Sequence, residues 1–164
     1  MTTSRTTRKG VGEGMGLSAV NCRLALAVDL PELLACDAYA QTRAERVDEL
    51  KRWVTAGQCH LAVGAGHPLG YVVWDHSFFG QAFIHLVCVA EPHQRQGIGR
   101  LLLAHAEQQC GRHKLFTSTN ASNIKAQRLL LAAGFVRSGC IDNLDEADPE
   151  WVFFKRVDPV EPLG

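Results

Sequence analysis

The sequence has no apolar run approaching the roughly 18 residues that a membrane-crossing helix needs, so no span is expected in it. It carries no net charge, because 17 basic and 17 acidic residues cancel. That removes the long-range field by which a protein is drawn to nucleic acid or to an anionic membrane, and neither partner is expected. Cys22, Cys36, Cys59, Cys88, Cys110 and Cys140 form no C-x-x-C pair and no metal-type Cys/His spacing. With no secretory apolar segment leading the chain, they are expected as reduced, small hydrophobes in a cytoplasmic protein, without a metal. Gly10, Gly12, Gly14 and Gly16 have neither a strand before them nor a helix after them. A dinucleotide-binding fingerprint needs both, and is excluded. No internal repeat is found.

What is present is a globular composition, 46% hydrophobic and 21% charged over 164 residues. A flexible tail is expected over residues 1–19 and one domain over 20–164. Asn21 to Val28 reads as a first strand. Asp29-Leu30-Pro31-Glu32 then supplies an N-cap, a first-turn proline and a capping-box glutamate for a helix. A second helix places Val47, Leu50 and Val54 on one face and stops at Gly57. Gln58 to Gly64 and Leu69 to His76 are strands joined through Ala65-Gly66-His67-Pro68. Phe83 to Val89 is apolar on both alternating faces, as a central strand is.

The stretch from Val87 to Cys110 carries the strongest functional signal. An apolar strand runs into Gln94, Arg95, Gln96, Gly97, Ile98, Gly99 and Arg100, and then into a helix with Ile98, Leu101, Leu102 and Ala106 on one side. The first N–H groups of a helix lack intrahelical partners, and the macrodipole adds about half a positive charge there. Two glycines let the backbone approach an anion closely, and the arginines add charged donors. A phosphate group fits such a place. Downstream, Lys114 to Thr119 reads as a strand and Ser122 as the cap of a helix over Asn123–Ala133 with Gly134 at its end. Phe135 to Ile141 and Trp151 to Val157 are the closing strands.

Gln94-x-x-Gly97-x-Gly99 after Val87-Cys88-Val89 resembles the acetyl-CoA signature of the GCN5-related N-acetyltransferases, the GNAT superfamily. Asn123-x-x-Ala126-x-x-Leu129 through Gly134-Phe135 resembles a second motif of that family, N-x-x-A-x-x-L-Y-x-x-x-G-F. The element order β-α-α-β-β-β-α-β-α-β-β agrees over residues 20–157. The resemblance implies an α/β (α+β) fold: a mixed, twisted sheet of six to seven strands, splayed beside Val89 and Thr117, with four flanking helices. It implies an N-acetyltransferase that moves an acetyl group from acetyl-CoA to an amine of a small molecule or peptide. The alternative is a GNAT-fold module that binds acyl-CoA with little turnover. A homodimer is left open.

By resemblance, the backbones of Val87 and Val89 hold the pantetheine arm. An N–H at Cys88 or Val89 faces the thioester oxygen, Gln94 to Arg100 hold the pyrophosphate, and Asn123 meets the cofactor's far side. The acceptor must be unprotonated to react; a lysine-like amine of pKa about 10.4 costs about 4 to 5 kcal/mol to neutralise at pH 7, an α-amine only ~1. Many members carry a glutamate on the fourth strand for this. Here His85 stands at the candidate place, two residues from Val87 and so expected on its face of the sheet. It reads as a general base or as a core histidine bonded to a carbonyl. Asp75 and His76 are further acceptor-side candidates. Leu130 occupies the place of the tyrosine that protonates the leaving thiolate, and Ser118, Asn120 or Ser122 is left to donate a hydrogen bond instead. Asp142 and Asp145, in an acidic loop that fits no EF-hand frame, are candidates for attracting a cationic amine.

Overall fold

The computed structural model describes residues 16–158; the expected tail up to residue 15 and positions 159–164 lie outside the described residues. Strand β1 is Asn21–Leu24, shorter than expected. Asp29 stands at the start of helix α1 (Leu30–Cys36), yet its carboxylate does not cap that helix. It accepts instead from Arg23 at 2.7 and 2.8 Å and from the Leu26 N–H at 2.8 Å. The guanidinium holds the carboxyl below its ordinary range, against the opposing pull of burial. Glu32 reaches His67 at 3.2 Å rather than completing a capping box. Charge pairing outcompetes capping here, because a bidentate arginine offers two charged donors where the helix start offers one neutral N–H.

Helix α2 (Ala44–Thr55) buries Leu50 and Val54. Strands β2 (Cys59–Gly64), β3 (His67–Phe78) and β4 (Gln81–Val89) follow as two hairpins. Ala65-Gly66 and Phe79-Gly80 both have positive φ, the left-handed pair that matches the twist of two-residue hairpins. Helix α3 is Ile98–Gln109, β5 Lys114–Asn120, α4 Ile124–Ala132, β6 Val136–Ile141 and β7 Glu150–Arg156. The cap of α4 is Asn123, whose side chain accepts from the Ala126 N–H at 3.1 Å; the expected cap, Ser122, instead bonds Asp148.

The seven strands form one mixed sheet in the order β1-β2-β3-β4-β5-β7-β6, with β4 and β5 its parallel pair. Helices α3 and α4 cover one face over Ile84, Leu102, Leu115 and Phe153. Helices α1 and α2 cover the other over Leu33, Leu50, Leu61 and Tyr71. Two features of β4 position the site. Its pairing with β5 covers only Ala82–Ile84 against Leu115–Thr117, and the Thr117 hydroxyl closes the ladder on the Ile84 carbonyl at 2.9 Å. Beyond that point β4 continues along β3 to Val89 while β5 continues along β7 to Asn120, so the two strands part.

The second feature is a bulge. Trp74 pairs with Ile84 and Val73 with Leu86, so His85 is an extra residue in β4. Ile84, Val87 and Val89 therefore pack on the α3 side, whereas Leu86 and Cys88 pack on the α1/α2 side. His85 stacks on Trp53 of α2 with ring centroids 6.5 Å apart. The expectation that His85 shares a face with Val87 and Val89 is thus corrected: strict alternation fails at a bulge.

Candidate active site

The start of α3 shapes a cleft of about 480 Å³ against β4 and α4, of the size that ligand pockets have. Of the residues singled out in the sequence, Val87, Val89, Gln94, Arg95, Gly97, Ile98, Gly99, Arg100 and Asn123 line it. His93, Lys125, Ala126 and Leu129 line it too and were missed, although three of them fall inside the second motif. The first bond of α3 runs from the Leu101 N–H to the Gly97 carbonyl at 3.0 Å. The N–H groups of Ile98, Gly99 and Arg100 are thereby left without helical partners. Gly97 has φ +84°, a left-handed conformation that turns the chain into the helix.

Gln94 braces this cleft from within. Its Nε2–H donates to the Val89 carbonyl at 3.0 Å, and its Oε1 accepts a short bond from the Lys125 ammonium. The side chain thus ties the end of β4 to the start of α4, and Lys125 adds a cation beside the cradle. Gln96 is exposed, reaches back to the Pro92 carbonyl at 3.4 Å and does not line the cleft. Cys88 also turns away: its side chain packs on the α1/α2 side.

The parting of β4 from β5 leaves backbone groups along an open seam. The Ala90 N–H bonds to Leu69 of the β3 side at 2.9 Å. By strand alternation the Cys88 N–H points to β3 as well, and the N–H and C=O groups of Val87 and Val89 point into the seam. Of the two N–H groups considered for the thioester oxygen, only that of Val89 faces the right way.

On the opposite face of the sheet, at the bulge, His85 Nε2 lies 2.9 Å from Asp75 Oδ1, with both side chains partly accessible at 30% and 20% exposure. The same carboxylate oxygen accepts from the Ser77 hydroxyl at 2.6 Å and the Ser77 N–H at 3.0 Å. Burial works to raise the Asp75 carboxyl, but these bonds and His85 outweigh it and hold it below its ordinary range. With Nε2 facing the carboxylate, the neutral tautomer that suits this contact carries its proton on Nε2 and has Nδ1 as the ring's acceptor. The Trp53 and Phe83 rings neighbour the imidazole, with centroids 6.5 and 5.0 Å from it.

The other candidates are placed elsewhere. Asp75 and His76 point to opposite faces; His76 donates to the carbonyl of Cys110 at the end of α3, at 2.7 Å. Asn120 gives its amide N–H to Asp145 at 2.7 Å, and Asp148 holds both the hydroxyl and the N–H of Ser122. The acidic loop therefore anchors the end of β5. Asp142 lies apart from Asn120, within 3.5 Å of the Cys140 thiol. Leu130 is 5% exposed in the core under α4, and Tyr71 is buried with its hydroxyl on Asp37 at 2.6 Å.

A second histidine pair lies under α3. His60 Nδ1 and His105 Nε2 are 2.9 Å apart, and His60 stacks on Trp74. Burial, with His105 beside it, pushes the His60 imidazole down to about 4, against about 6.5 in an unfolded chain. Between those values the unfolded state binds the extra proton. The contribution of this pair to stability is therefore full above about pH 6.5 and falls as the pH drops toward 4. The double variant His60→Gln, His105→Gln should show a flatter fall of Tm between about pH 7.5 and about pH 5 than the parent protein.

An open seam between parallel strands, with a helix start of unpartnered N–H groups on one face and a carboxylate–imidazole pair on the other, sets the class of this α/β protein. The profile of the Acetyltransferase (GNAT) family matches residues 27–135, and the chain belongs to that family. No curated protein matches it. Among solved structures, an acetyltransferase of the GNAT family from Bacillus cereus ATCC 10987 is 30% identical, with a TM-score of 0.80 over 88% of this chain and 99% of that one. The ribosomal-protein-S18-alanine N-acetyltransferase from Escherichia coli is 18% identical, with a TM-score of 0.64 over 88% of this chain and 98% of that one. The yncA structure from Salmonella typhimurium, which contains acetyl-CoA, is 20% identical, with a TM-score of 0.62 over 87% and 96%. These last two share the fold. No helix among the described residues is long and apolar enough to cross a membrane.

Proposed function

We propose that this acetyltransferase takes its acetyl group from acetyl-CoA and passes it to a primary amine, with His85 as the general base. The observation that carries the reading is the seam. It opens beyond Ile84, beside the strand position of His85, so a donor from the α3 cleft and an acceptor at the Asp75–His85 pair would meet there from opposite faces of the sheet.

The residues present fit the cofactor. The N–H groups of Ile98, Gly99 and Arg100, with Arg95 and Arg100, would hold the pyrophosphate. The seam N–H groups of Val87 and Val89 and the Val87 carbonyl would take the pantetheine arm as an added strand would be taken, and Asn123 and Lys125 would flank it. The thioester would supply an activated acyl group, its C–S bond breaking as the amine's C–N bond forms and the sulfur leaving as thiolate, which would take its proton from water. His85 would accept the amine's proton at Nδ1, while Asp75 keeps Nε2–H in place and stabilises the imidazolium. Asp145, bonded to Asn120 at the end of the seam, would draw a cationic acceptor toward it, and Asp142 would add to that field. Nothing in the fold or the comparisons favours binding without turnover.

Thermal-shift titration tests the first step. Acetyl-CoA at about a hundred times its Kd should add about 2.7 kcal/mol of stability. No stabilisation by either acetyl-CoA or CoA would remove the reading.

A further inference from the structure

The α1/α2 face carries a run of aromatic rings that neither the core nor the donor cleft uses. Starting from His85, it passes to Phe83, then to Phe78 at 4.8 Å, Phe116 at 5.2 Å and Phe154 at 5.2 Å between ring centroids. These four phenylalanines belong to β3, β4, β5 and β7, so the run crosses the sheet on the closed side of the seam. Each is partly exposed, and none belongs to either buried core cluster. Among the described residues, α1 packs chiefly on β3 and α2 on β2, away from β5 and β7.

A shelf of apolar rings is costly to leave in water unless something covers it in use. Its position says what. It abuts the imidazole proposed to deprotonate the acceptor, so a molecule with its nitrogen at His85 Nδ1 lays its next few atoms along Phe83 and Phe116. The rings offer apolar area and negative faces, and no donor or acceptor. They match an aryl or bulky apolar group and leave a polyhydroxylated or multiply charged acceptor without partners. Asp75 supplies the negative charge that meets the ammonium on arrival.

We infer that the acceptor is a primary amine bearing an aromatic or bulky apolar group within a few carbon atoms of its nitrogen, seated on the Phe83–Phe116 shelf. The inference rests on the proposed acetyl transfer at His85. Two sources share this chemistry, free arylalkylamines and peptides with an apolar first residue.

The test follows CoA release from acetyl-CoA with two series of acceptors. One series compares phenylethylamine with alkylamines and hydroxyalkylamines of similar length. The other compares dipeptides beginning with Phe, Leu, Ser or Asp. Phe116→Ala and Phe154→Ala are run beside the parent, with thermal shift by acetyl-CoA recorded for each. The apolar members of at least one series should lead in kcat/KM by about tenfold or more. That lead should shrink in both variants while KM for acetyl-CoA stays the same; the series that shows it identifies the source. Acetylation with no apolar preference, or a preference that survives both substitutions, overturns this inference and leaves the acetyltransferase reading standing. Donor binding with no turnover of any apolar amine also overturns it. Failure to bind acetyl-CoA removes the parent reading, and this one with it.

Discussion

His85→Ala should lower kcat by about 10²- to 10⁴-fold, the usual worth of a positioned base, and leave the affinity for acetyl-CoA unchanged. The two effects separate because the bulge in β4 puts His85 on the face opposite the α3 cleft. The loss should grow with the basicity of the acceptor. An amine of pKa about 10.4 needs about 3 kcal/mol more to lose its proton at pH 7 than one near 8, so a base matters more to it. Steady-state kinetics with two acceptors of different pKa, beside acetyl-CoA titration, measures both. Loss of donor binding together with turnover would mark His85 as a packing residue. Asp75→Asn keeps the volume and removes the charge, and should give a smaller loss of kcat at unchanged donor affinity. Ser77 bonds the same oxygen, so this end of β3 stays in place while imidazolium stabilisation is weakened.

Gly97→Val should raise the KM for acetyl-CoA by roughly 10- to 100-fold, the loss of aligned donors worth about 1.5 to 3 kcal/mol on a charged ligand. At φ +84° a β-branched residue is an outlier. The chain must enter α3 by another path, and the N–H groups of Ile98, Gly99 and Arg100 no longer converge. A Cβ here would also lie 2.9 Å from Leu17, a flexible side chain that can move, so the strain sits in the backbone. The Asp75–His85 pair is untouched, and kcat at saturating acetyl-CoA should change far less than KM. An unchanged KM would remove α3 from the donor site.

The cradle was legible because it depends on local rules. Glycine at a turn, an arginine on either side and an apolar helix face are each encoded within a few residues. Lys125 was not singled out, because nothing local says that α4 docks where its ammonium meets Gln94. His85 was found as a chemical type but assigned the wrong face, since the bulge exists only in the pairing of β4 with β3. Trp53 carried no signal beyond an aromatic within a helix, and its stacking on His85 requires α2 to pack on the sheet.

The sequence by itself determined the order of elements, the glycine-punctuated start of α3 and the family, because these are written in periodicity, caps and motif spacing. Tertiary structure decided the rest. It opened the seam, because β4 and β5 are each held more fully by their outer neighbours than by one another. It turned Cys88 away and Val89 toward the gap, and it set the Asp75–His85 pair and the phenylalanine shelf together on the face opposite the α3 cleft. Those outcomes depend on register between strands distant in sequence, where one extra residue in β4 exchanges the faces of the sheet.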